Sequence, residues 1–223
     1  MSRYLLTHSL LSSWLRGIKE NPFEDATTER DAYSEFLDSL NKIETPPTDA
    51  MLNGIEFEKL VTAVFNGAET YGFIPADPKN PIAGMVPMDI RDHNWYGAAS
   101  KIANTIRGGQ LQFKARKYVT VHGMDFLLFG KLDVLKAGDI DDIKFSKSYD
   151  RGKYFSSTQH PMYMELVPEA RRFNYLVSNG TDVWTESYTR EETPDIYPII
   201  SDFVDWITEQ GLLSTYMEKW EAK

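Results

Sequence analysis

The segment from Met124 to Ser146 constrains the fold more than any other part of the chain. It contains two runs of apolar and β-branched residues separated by a turn sequence at 136–139, and this pattern predicts two paired strands. Successive side chains of a strand point to opposite faces, so Asp142 and Lys144 share one face and the residue between them lies on the other. Hairpin pairing is expected to bring Asp133, near the end of the first strand, beside Asp142.

Two carboxylates held this close predict a site for a divalent cation. Without an ion, like charges in one site force one acid to take up a proton, which makes the arrangement costly. The chain has no cysteine, and none of its four histidines stands in an HExxH pattern, so a zinc site of the familiar kinds is excluded. Carboxylate oxygens alone suit a hard cation, so we expect Mg²⁺ or Mn²⁺.

A helix is predicted over residues 52–66. Apolar residues at positions 57, 60, 61, 64 and 65 recur with helical period and define its buried face. Glu56 and Glu58 flank this face on opposite sides and are about equally near its edge. The periodicity therefore does not choose between the two carboxylates.

A second helix is predicted near residues 158–168. Thr158 suits the N-cap, which places Pro161 in the first turn, where its missing N–H costs little. Gln159 and Tyr163 are four residues apart and therefore share one face. A half-buried glutamine and a core tyrosine without a functional role would give the same pattern.

The other elements follow from periodicity and turn residues. Residues 70–93 are rich in Pro, Gly and Asp without a sustained period, which predicts a long loop. The remaining predictions are helices at 2–19, 27–42 and 95–106, a hairpin of strands 110–121 and 124–135, a hairpin at 173–188 with a two-residue turn at Asn179-Gly180, and C-terminal helices over 194–222 separated at Gly211.

Four motifs in order give the chain a resemblance to a known superfamily. They are Gly54 followed four residues later by Glu58, Gly130-x-x-Asp133, Asp142-x-Lys144, and Gln159-x-x-x-Tyr163. This order resembles the RecB-type branch of the PD-(D/E)XK nucleases, especially its phage and prophage exonuclease-like members. The strand pair predicted at 173–188 is similar to the pair that follows the QxxxY helix in those proteins. The resemblance spans about residues 50–190.

The resemblance implies an α/β fold with a restriction-endonuclease-like core, in which a central mixed β-sheet is flanked by α-helices. It implies one nuclease-like domain over 1–223, with a helical N-terminal extension at 1–50, a nuclease core at 51–190 and C-terminal helices at 191–223. The implied activity is a Mg²⁺- or Mn²⁺-dependent deoxyribonuclease, an exonuclease rather than an endonuclease. DNA is the implied substrate, in the cytoplasm of a bacterial host, with the chain encoded by a phage or prophage. The resemblance leaves room for a phage single-strand annealing or recombinase partner and for a homo-oligomer.

The resemblance also implies a role for each motif residue. Asp133, Asp142, the backbone carbonyl of Ile143 and Glu58 are the implied metal ligands, and Glu58 is chosen over Glu56 by its spacing from Gly54. Lys144 is implied to orient the attacking water and to stabilise the developing negative charge. The last two residues of the implied catalytic set position the scissile phosphate or the water; they are Gln159 and Tyr163.

Composition limits the classes of function. The chain of 223 residues has 42% hydrophobic content, which suffices for one substantial core. The absence of cysteine excludes disulfides and the four-cysteine iron–sulfur cluster that several RecB-type relatives carry. No apolar run approaches the ~20 residues needed to cross a bilayer. No GxxxxGK[ST] pattern occurs, so the chain is not expected to be a helicase or ATPase.

The charge distribution leaves the DNA-binding interpretation open. The net charge is −9, yet the segment from Lys101 to Lys153 contains eleven basic and six acidic residues. Such a segment suits a DNA-facing surface, although an ordinary solvated surface would give the same pattern. Two alternatives therefore remain: a nuclease-fold protein that binds nucleic acid without cutting it, and a phage structural or assembly protein that uses the acidic surface and aromatic C-terminal helices.

Overall fold

The computed structural model describes residues 2–19, 31–77, 79 and 84–222. A short 3₁₀ turn at Ile90–Asp92 precedes the fourth helix. In chain order, the helices and strands of this part are β1 (Arg3–Leu6), α1 (His8–Lys19), α2 (Ala32–Leu40), α3 (Asp49–Phe65), β2 (Thr70–Pro75), β3 (Met85–Asp89), α4 (Tyr96–Thr105), β4 (Gln110–Val121), β5 (Met124–Lys136), β6 (Asp139–Phe145), α5 (Gln159–Leu166), β7 (Arg172–Ser178), β8 (Val183–Thr189), α6 (Tyr197–Glu209) and α7 (Leu213–Lys219).

Six strands form one mixed sheet in the order β1-β5-β6-β7-β8, with β4 on the other edge of β5. Strand β5 pairs antiparallel with β4 along nearly its whole length. On its opposite edge it pairs in parallel with β1 over residues 125–128, and then antiparallel with β6 over residues 134–136. Between these stretches β1 has ended and β6 has not yet joined. We call this gap, at residues 129–133 of β5, the fork.

Helices cover both faces of this sheet. The larger core lies between the sheet and helices α1, α2, α5, α6 and α7, and includes the fully buried Phe126 and Phe203. The smaller core lies under α3 and α4 on the opposite face and includes Phe57 and Ile102. The protein therefore has a mixed α/β fold in which a central mixed sheet is flanked by helices.

The N-terminal segment differs from the predicted single helix at 2–19. Residues Arg3–Leu6 form β1, because their alternating buried side chains Tyr4 and Leu6 enter the larger core while their backbone pairs with β5. The other edge of β1 pairs with the C-terminal segment, where Leu5 N–H donates to the carbonyl of Trp220 at 2.7 Å. Helix α1 then begins at His8. A lone amphipathic pattern cannot reveal a short strand whose partners are distant in sequence.

The predicted loop at 70–93 is also wrong in its first and last parts. Strands β2 and β3 pair antiparallel as a separate two-stranded sheet. Prolines at positions 75 and 87 concealed this hairpin, since Pro is accepted in strands mainly at edges and ends. Residues 78 and 80–83 of the predicted loop lie outside the described part of the chain.

Most other elements were predicted within a few residues of their observed bounds. The hairpin of β4 and β5 and the separation of α6 from α7 at Gly211 are confirmed. Helix α2 begins after Asp31, whose side chain accepts a hydrogen bond from Ser34 N–H at 2.6 Å, and the predicted residues 27–30 lie outside the described part. The turn between β7 and β8 spans 179–182 rather than two residues.

That longer turn has a local cause. The Asn179 side-chain oxygen accepts hydrogen bonds from the N–H groups of Thr181 at 2.9 Å and Asp182 at 2.8 Å. Such a side-chain turn replaces the first backbone pair of the hairpin.

No helix in the described part of the chain is both long and apolar enough to cross a membrane.

Candidate functional site

The carboxyl groups of Asp133 and Asp142 meet at the fork. Asp133 Oδ2 accepts a hydrogen bond from the N–H of Ile143 at 2.9 Å, which ties the two strands together just beyond their last backbone pair. Asp142 lies across from Asp133 and is only 3% exposed. The structure therefore brings together the two carboxylates that the strand pattern placed side by side.

Both oxygens of Asp142 have a partner. Lys144 Nζ lies 2.8 Å from Oδ2, and the Gln159 side-chain amide donates to Oδ1 at 2.5 Å. Because Asp142 and Lys144 are two apart on β6, they share the face covered by α1 and α5. The Lys144 side chain is 31% exposed, so its ammonium group lies between the buried carboxylate and solvent.

Several negative charges compete within this site. Burial raises the pKa of Asp133 well above its ordinary value, and the charges of Asp142 and Glu58 raise it further. Burial also raises the pKa of Asp142, although Lys144 and the Gln159 amide oppose this. Where neighbouring charges disfavour the ionised form of a carboxylate, a bound cation stabilises that form.

Glu58 reaches the site from α3, which crosses the opposite face of the sheet. Its Oε1 accepts a hydrogen bond from the Gln112 side-chain amide at 2.7 Å. Glu58 is among the charges that raise the pKa of Asp133, whereas Glu56 acts on Tyr71 in the separate hairpin. Of the two glutamates that the helical period left equivalent, Glu58 is therefore the one whose charge acts on Asp133.

Gln112 is a site residue that the sequence did not indicate. It stands opposite Asp133, between the pairs Leu111–Val134 and Phe113–Leu132, and it has φ +54°. A left-handed backbone at a residue other than glycine costs on the order of 1–3 kcal/mol and is concentrated at functional sites. The strain is located where the alternation of the two strands changes, since Leu132 enters the larger core and Val134 the smaller one.

Helix α5 closes the site from the side of the larger core. Tyr163 donates its hydroxyl to the carbonyl of Lys131 at 3.1 Å, so it holds the backbone of β5 just before Asp133. The helix can approach this closely because residue 130 is glycine. A Cβ there would lie 2.5 Å from Tyr163 Cε1 and 2.8 Å from Leu166 Cδ1.

His8, the first residue of α1, is the second site residue that the sequence did not indicate. Its ring meets the Tyr163 ring edge to face, with the ring centres 5.2 Å apart. Burial, and then the charge of Lys144, lowers its pKa to about 4. The carbonyl of His8 accepts the Thr158 hydroxyl at 2.9 Å, a bond that joins the starts of α1 and α5. A neutral imidazole therefore lies beside Lys144.

Glu186 fixes the loop between β6 and α5. Its carboxylate is 7% exposed and accepts bonds from the hydroxyls of Tyr149 and Tyr188 and from the N–H groups of Gly152 and Tyr154. Burial alone would raise its pKa, but these hydrogen bonds outweigh that effect and lower the pKa below its ordinary value. The loop that leads to Gln159 is therefore held by one buried charge.

We expect Glu186→Gln to lower the free energy of unfolding by about 2–4 kcal/mol at neutral pH, since hydrogen bonds to a charged acceptor are lost. Because the pKa is depressed in the folded state, the carboxylate stabilises the fold above its unfolded pKa near 4.5 and loses this effect as pH falls through the folded pKa. Urea unfolding of both proteins between pH 3 and 7 should show the difference shrinking below about pH 4. Glu191→Gln, at an exposed carboxylate nearby, is the control. A pH-independent difference between Glu186→Gln and the unchanged protein would contradict the assignment.

The donor chemistry of the site fits a hard divalent cation. Asp133, Asp142 and Glu58 supply oxygen ligands, and the backbone of Ile143 on β6 faces Asp133 at the fork. In the described residues, however, no three acidic, histidine or cysteine side chains are already arranged around one point as metal ligands. Glu58 is turned towards Gln112, so it would have to rotate or bind an ion through water.

Comparisons with known proteins add little to this geometry. No family model matches the chain, and no curated protein matches it. Among solved structures, one described as "Crystal structure of SSO0001" matches with 18% sequence identity and a TM-score of 0.39. The match covers 52% of this chain and 57% of that one, so the chain spans little more than half the length of its structural neighbour. At this level of similarity the match supports no inference about family or activity.

Proposed function

We propose that this chain is a Mg²⁺- or Mn²⁺-dependent deoxyribonuclease with a restriction-endonuclease-like core of the RecB type. The observation that carries the proposal is the meeting of Asp133 and Asp142 at the fork, with Lys144 on one oxygen of Asp142 and Gln159 on the other. One buried acid, one half-buried acid and a partly exposed lysine have no evident structural use together. They are the groups that metal-assisted hydrolysis of a phosphodiester requires.

The order of elements supports the proposed core. The chain contains, in this order, helix α3, the meander of β4, β5 and β6, helix α5 and the pair β7 and β8, with β2, β3 and α4 between α3 and β4. Strand β6 then pairs in parallel with β7, which requires α5 to cross one face of the sheet. Each motif of the sequence resemblance therefore lies on the kind of element that the proposal needs.

Each residue of the site has a proposed task. Asp133, Asp142, the Ile143 carbonyl and Glu58 would hold the ion, directly or through water. When bound, such an ion supplies a water of lowered pKa and neutralises charge at the phosphorus. Lys144 would orient the attacking water and stabilise the same charge.

The two α5 residues have supporting tasks in this arrangement. Gln159 fixes the rotamer of Asp142, and Tyr163 fixes the backbone beside Asp133. Both tasks are positioning rather than proton transfer. Because the Gln159 amide is bonded to Asp142 and the Tyr163 hydroxyl to the Lys131 carbonyl, donation of either group to a phosphate would require rearrangement.

The proposal includes DNA as substrate and exonuclease rather than endonuclease action. It places the protein in the cytoplasm of a bacterial host as the product of a phage or prophage, with a recombinase or annealing protein as partner. These finer features rest on the sequence resemblance and not on the geometry of the fork. If the protein does not cleave DNA, the alternative functions are binding of nucleic acid without cleavage and a role in phage assembly.

The direct test is cleavage of linear and circular double-stranded DNA with Mg²⁺, Mn²⁺ or EDTA. We expect loss of linear DNA in either metal and none in EDTA. Lys144→Ala should slow cleavage at least about a hundredfold, because it removes the group that stabilises charge in the transition state. Lys147→Ala changes an exposed lysine three residues along the chain and should leave the rate nearly unchanged.

The pattern of products separates the alternatives. Cutting of circular as well as linear DNA would establish an endonuclease on the same site. The absence of cleavage with either metal would contradict the proposed function and favour binding or assembly. Equal rates for the unchanged protein and Lys144→Ala would contradict the role given to that lysine.

A further inference from the structure

One half of the sheet leaves a face uncovered in the described part of the chain. Backbone pairing aligns side chains of β4 with those of β5 on this face: Thr120 with Asp125, Tyr118 with Leu127, Arg116 with Phe129, and Lys114 with Lys131. On the far side of β5, Arg3 and Leu5 of β1 continue the first two rows, because they pair with Asp125 and Leu127. We call this set the open sheet face.

The open sheet face lies opposite the larger core. The intervening residues Tyr4, Leu6, Ala115, Phe126 and Leu128 point the other way and are buried in that core. The smaller core covers only the other end of the sheet, near the last part of β5 and strands β6 and β7. Four basic side chains on the open sheet face are exposed to solvent: Arg3, Lys114, Arg116 and Lys131.

The charge of this face opposes that of the whole chain. Its one acidic residue, Asp125, accepts a hydrogen bond from the Thr120 hydroxyl at 2.6 Å. The nearby Lys117 lies on the opposite face and is paired with Glu165 at 2.6 Å. The open sheet face thus has four basic residues and one acid on a protein of net charge −9, which is a local complement for a polyanion.

The face also presents an aromatic ring. Tyr118 is 55% exposed, although tyrosines are usually more buried than this. The Arg3 guanidinium lies over its ring, 4.5 Å from the centre. A sheet face with an exposed ring among cations is suited to a base stacked on the ring and phosphates held at its sides.

We propose that the open sheet face binds single-stranded DNA and leads it to the fork, an inference that rests on the proposed nuclease function for its direction. Lys131 belongs to this face and is two residues before Asp133 on β5, so the row of basic side chains ends at the fork. An unpaired strand offers bases for stacking on Tyr118, whereas a duplex keeps its bases inside. The surface therefore favours a single strand over a duplex.

Fluorescence anisotropy in EDTA tests this binding without cleavage. The probe is a labelled 30-nucleotide oligothymidylate, with a 30-base-pair duplex as the second arm. Lys114→Ser/Arg116→Ser should weaken binding of the single strand and reduce the slope of log K against log salt by about 1.4, which is 0.7 for each lost phosphate contact. The control, Arg107→Ser/Lys219→Ser, removes the same charge at two exposed residues elsewhere and should keep the slope.

The aromatic contact has its own pair of variants. Tyr118→Ala should weaken binding of oligothymidylate about fivefold or more, because a stacking partner is lost. Tyr118→Phe retains the ring and should bind as the unchanged protein does. Circular dichroism confirms that each variant is folded, which is expected because the changed side chains are exposed.

The outcomes separate this inference from the proposed function. Loss of binding in the variants of the open sheet face, together with no cleavage in any metal, would support the proposed binding surface. It would contradict the proposed nuclease function. Metal-dependent cleavage with unchanged binding in both sets of variants would overturn the inference about the open sheet face. The proposed nuclease function would then still stand. Preference for the duplex, or no binding of the single strand, would also overturn it. So would a dimer, seen by analytical ultracentrifugation, that the same substitutions dissociate while DNA binding persists.

Discussion

Asp142→Asn is expected to reduce metal-dependent DNA cleavage at least about a thousandfold while the protein remains folded. The carboxylate is a proposed metal ligand, and the loss of about 4 kcal/mol of stabilisation in the transition state corresponds to this factor. Asn keeps the shape of the side chain and a carbonyl oxygen for the Gln159 amide. It also removes a buried charge whose ionisation is disfavoured, so a large loss of stability is not expected.

A neighbouring acid provides the matched control. Asp141 is 4% exposed and bonded to the Asn174 amide at 2.7 Å, but it points to the opposite side of β6. Asp141→Asn makes the same chemical change one residue away and should leave cleavage within a few-fold of the unchanged protein. Rates should be measured on linear DNA with Mg²⁺, beside thermal melting with and without the metal. Cleavage by Asp142→Asn at a rate within tenfold of that of the unchanged protein would contradict the proposed mechanism.

Gly130→Ala is expected to lower the melting temperature by about 4–10 °C. The new Cβ would lie 2.5 Å from the Tyr163 ring, so α5 must move away from β5 or the ring must leave its place. Overpacking of this kind costs about 1–3 kcal/mol or more, and 1 kcal/mol corresponds to about 2–4 °C in a chain of this size. Movement of Tyr163 also frees the backbone beside Asp133, so cleavage should fall together with stability.

The other glycine of the sequence motifs gives the opposite expectation. Gly54 lies in α3, and a Cβ there would contact nothing within 4 Å. Gly54→Ala should therefore raise the free energy of unfolding by about 0.5–1 kcal/mol through helix propensity. Differential scanning fluorimetry of the two variants compares them directly. If Gly130→Ala melts at or above the temperature of the unchanged protein, α5 does not pack against β5 as closely at residue 130 as the structure indicates.

The strands that carry the site could be predicted because their signals are local. Alternation along β6 placed Asp142 and Lys144 on one face, and the turn after Lys136 set the pairing that brings Asp133 near them. The structure shows these contacts at the fork. Strand β1 could not be predicted in the same way, since in the described part of the chain its backbone pairs with residues more than a hundred positions away.

The candidate site was predicted in part for the same reason. Motif spacing indicated Glu58 and the α5 residues, and packing then decided what each contacts. Gln112 and His8 gave no signal. The first acts through a backbone angle that glutamine rarely adopts, and the second reaches the site only because α1 lies against α5. Both contacts are set by tertiary structure, which residue types alone do not reveal.

The pairing of β1 with β5 has a consequence for the order of folding. Arg3–Leu6 pair with residues 125–128, and the same strand then receives Trp220 and the residues after it. During synthesis β1 is made well before β5 and the segment at Trp220, so neither of its edges can pair with them until much later. Contacts of such long sequence separation are slow to form, because the chain must first be brought together at an entropic cost. A strand made more than a hundred residues before its partners is therefore expected to be among the last to acquire its native neighbours.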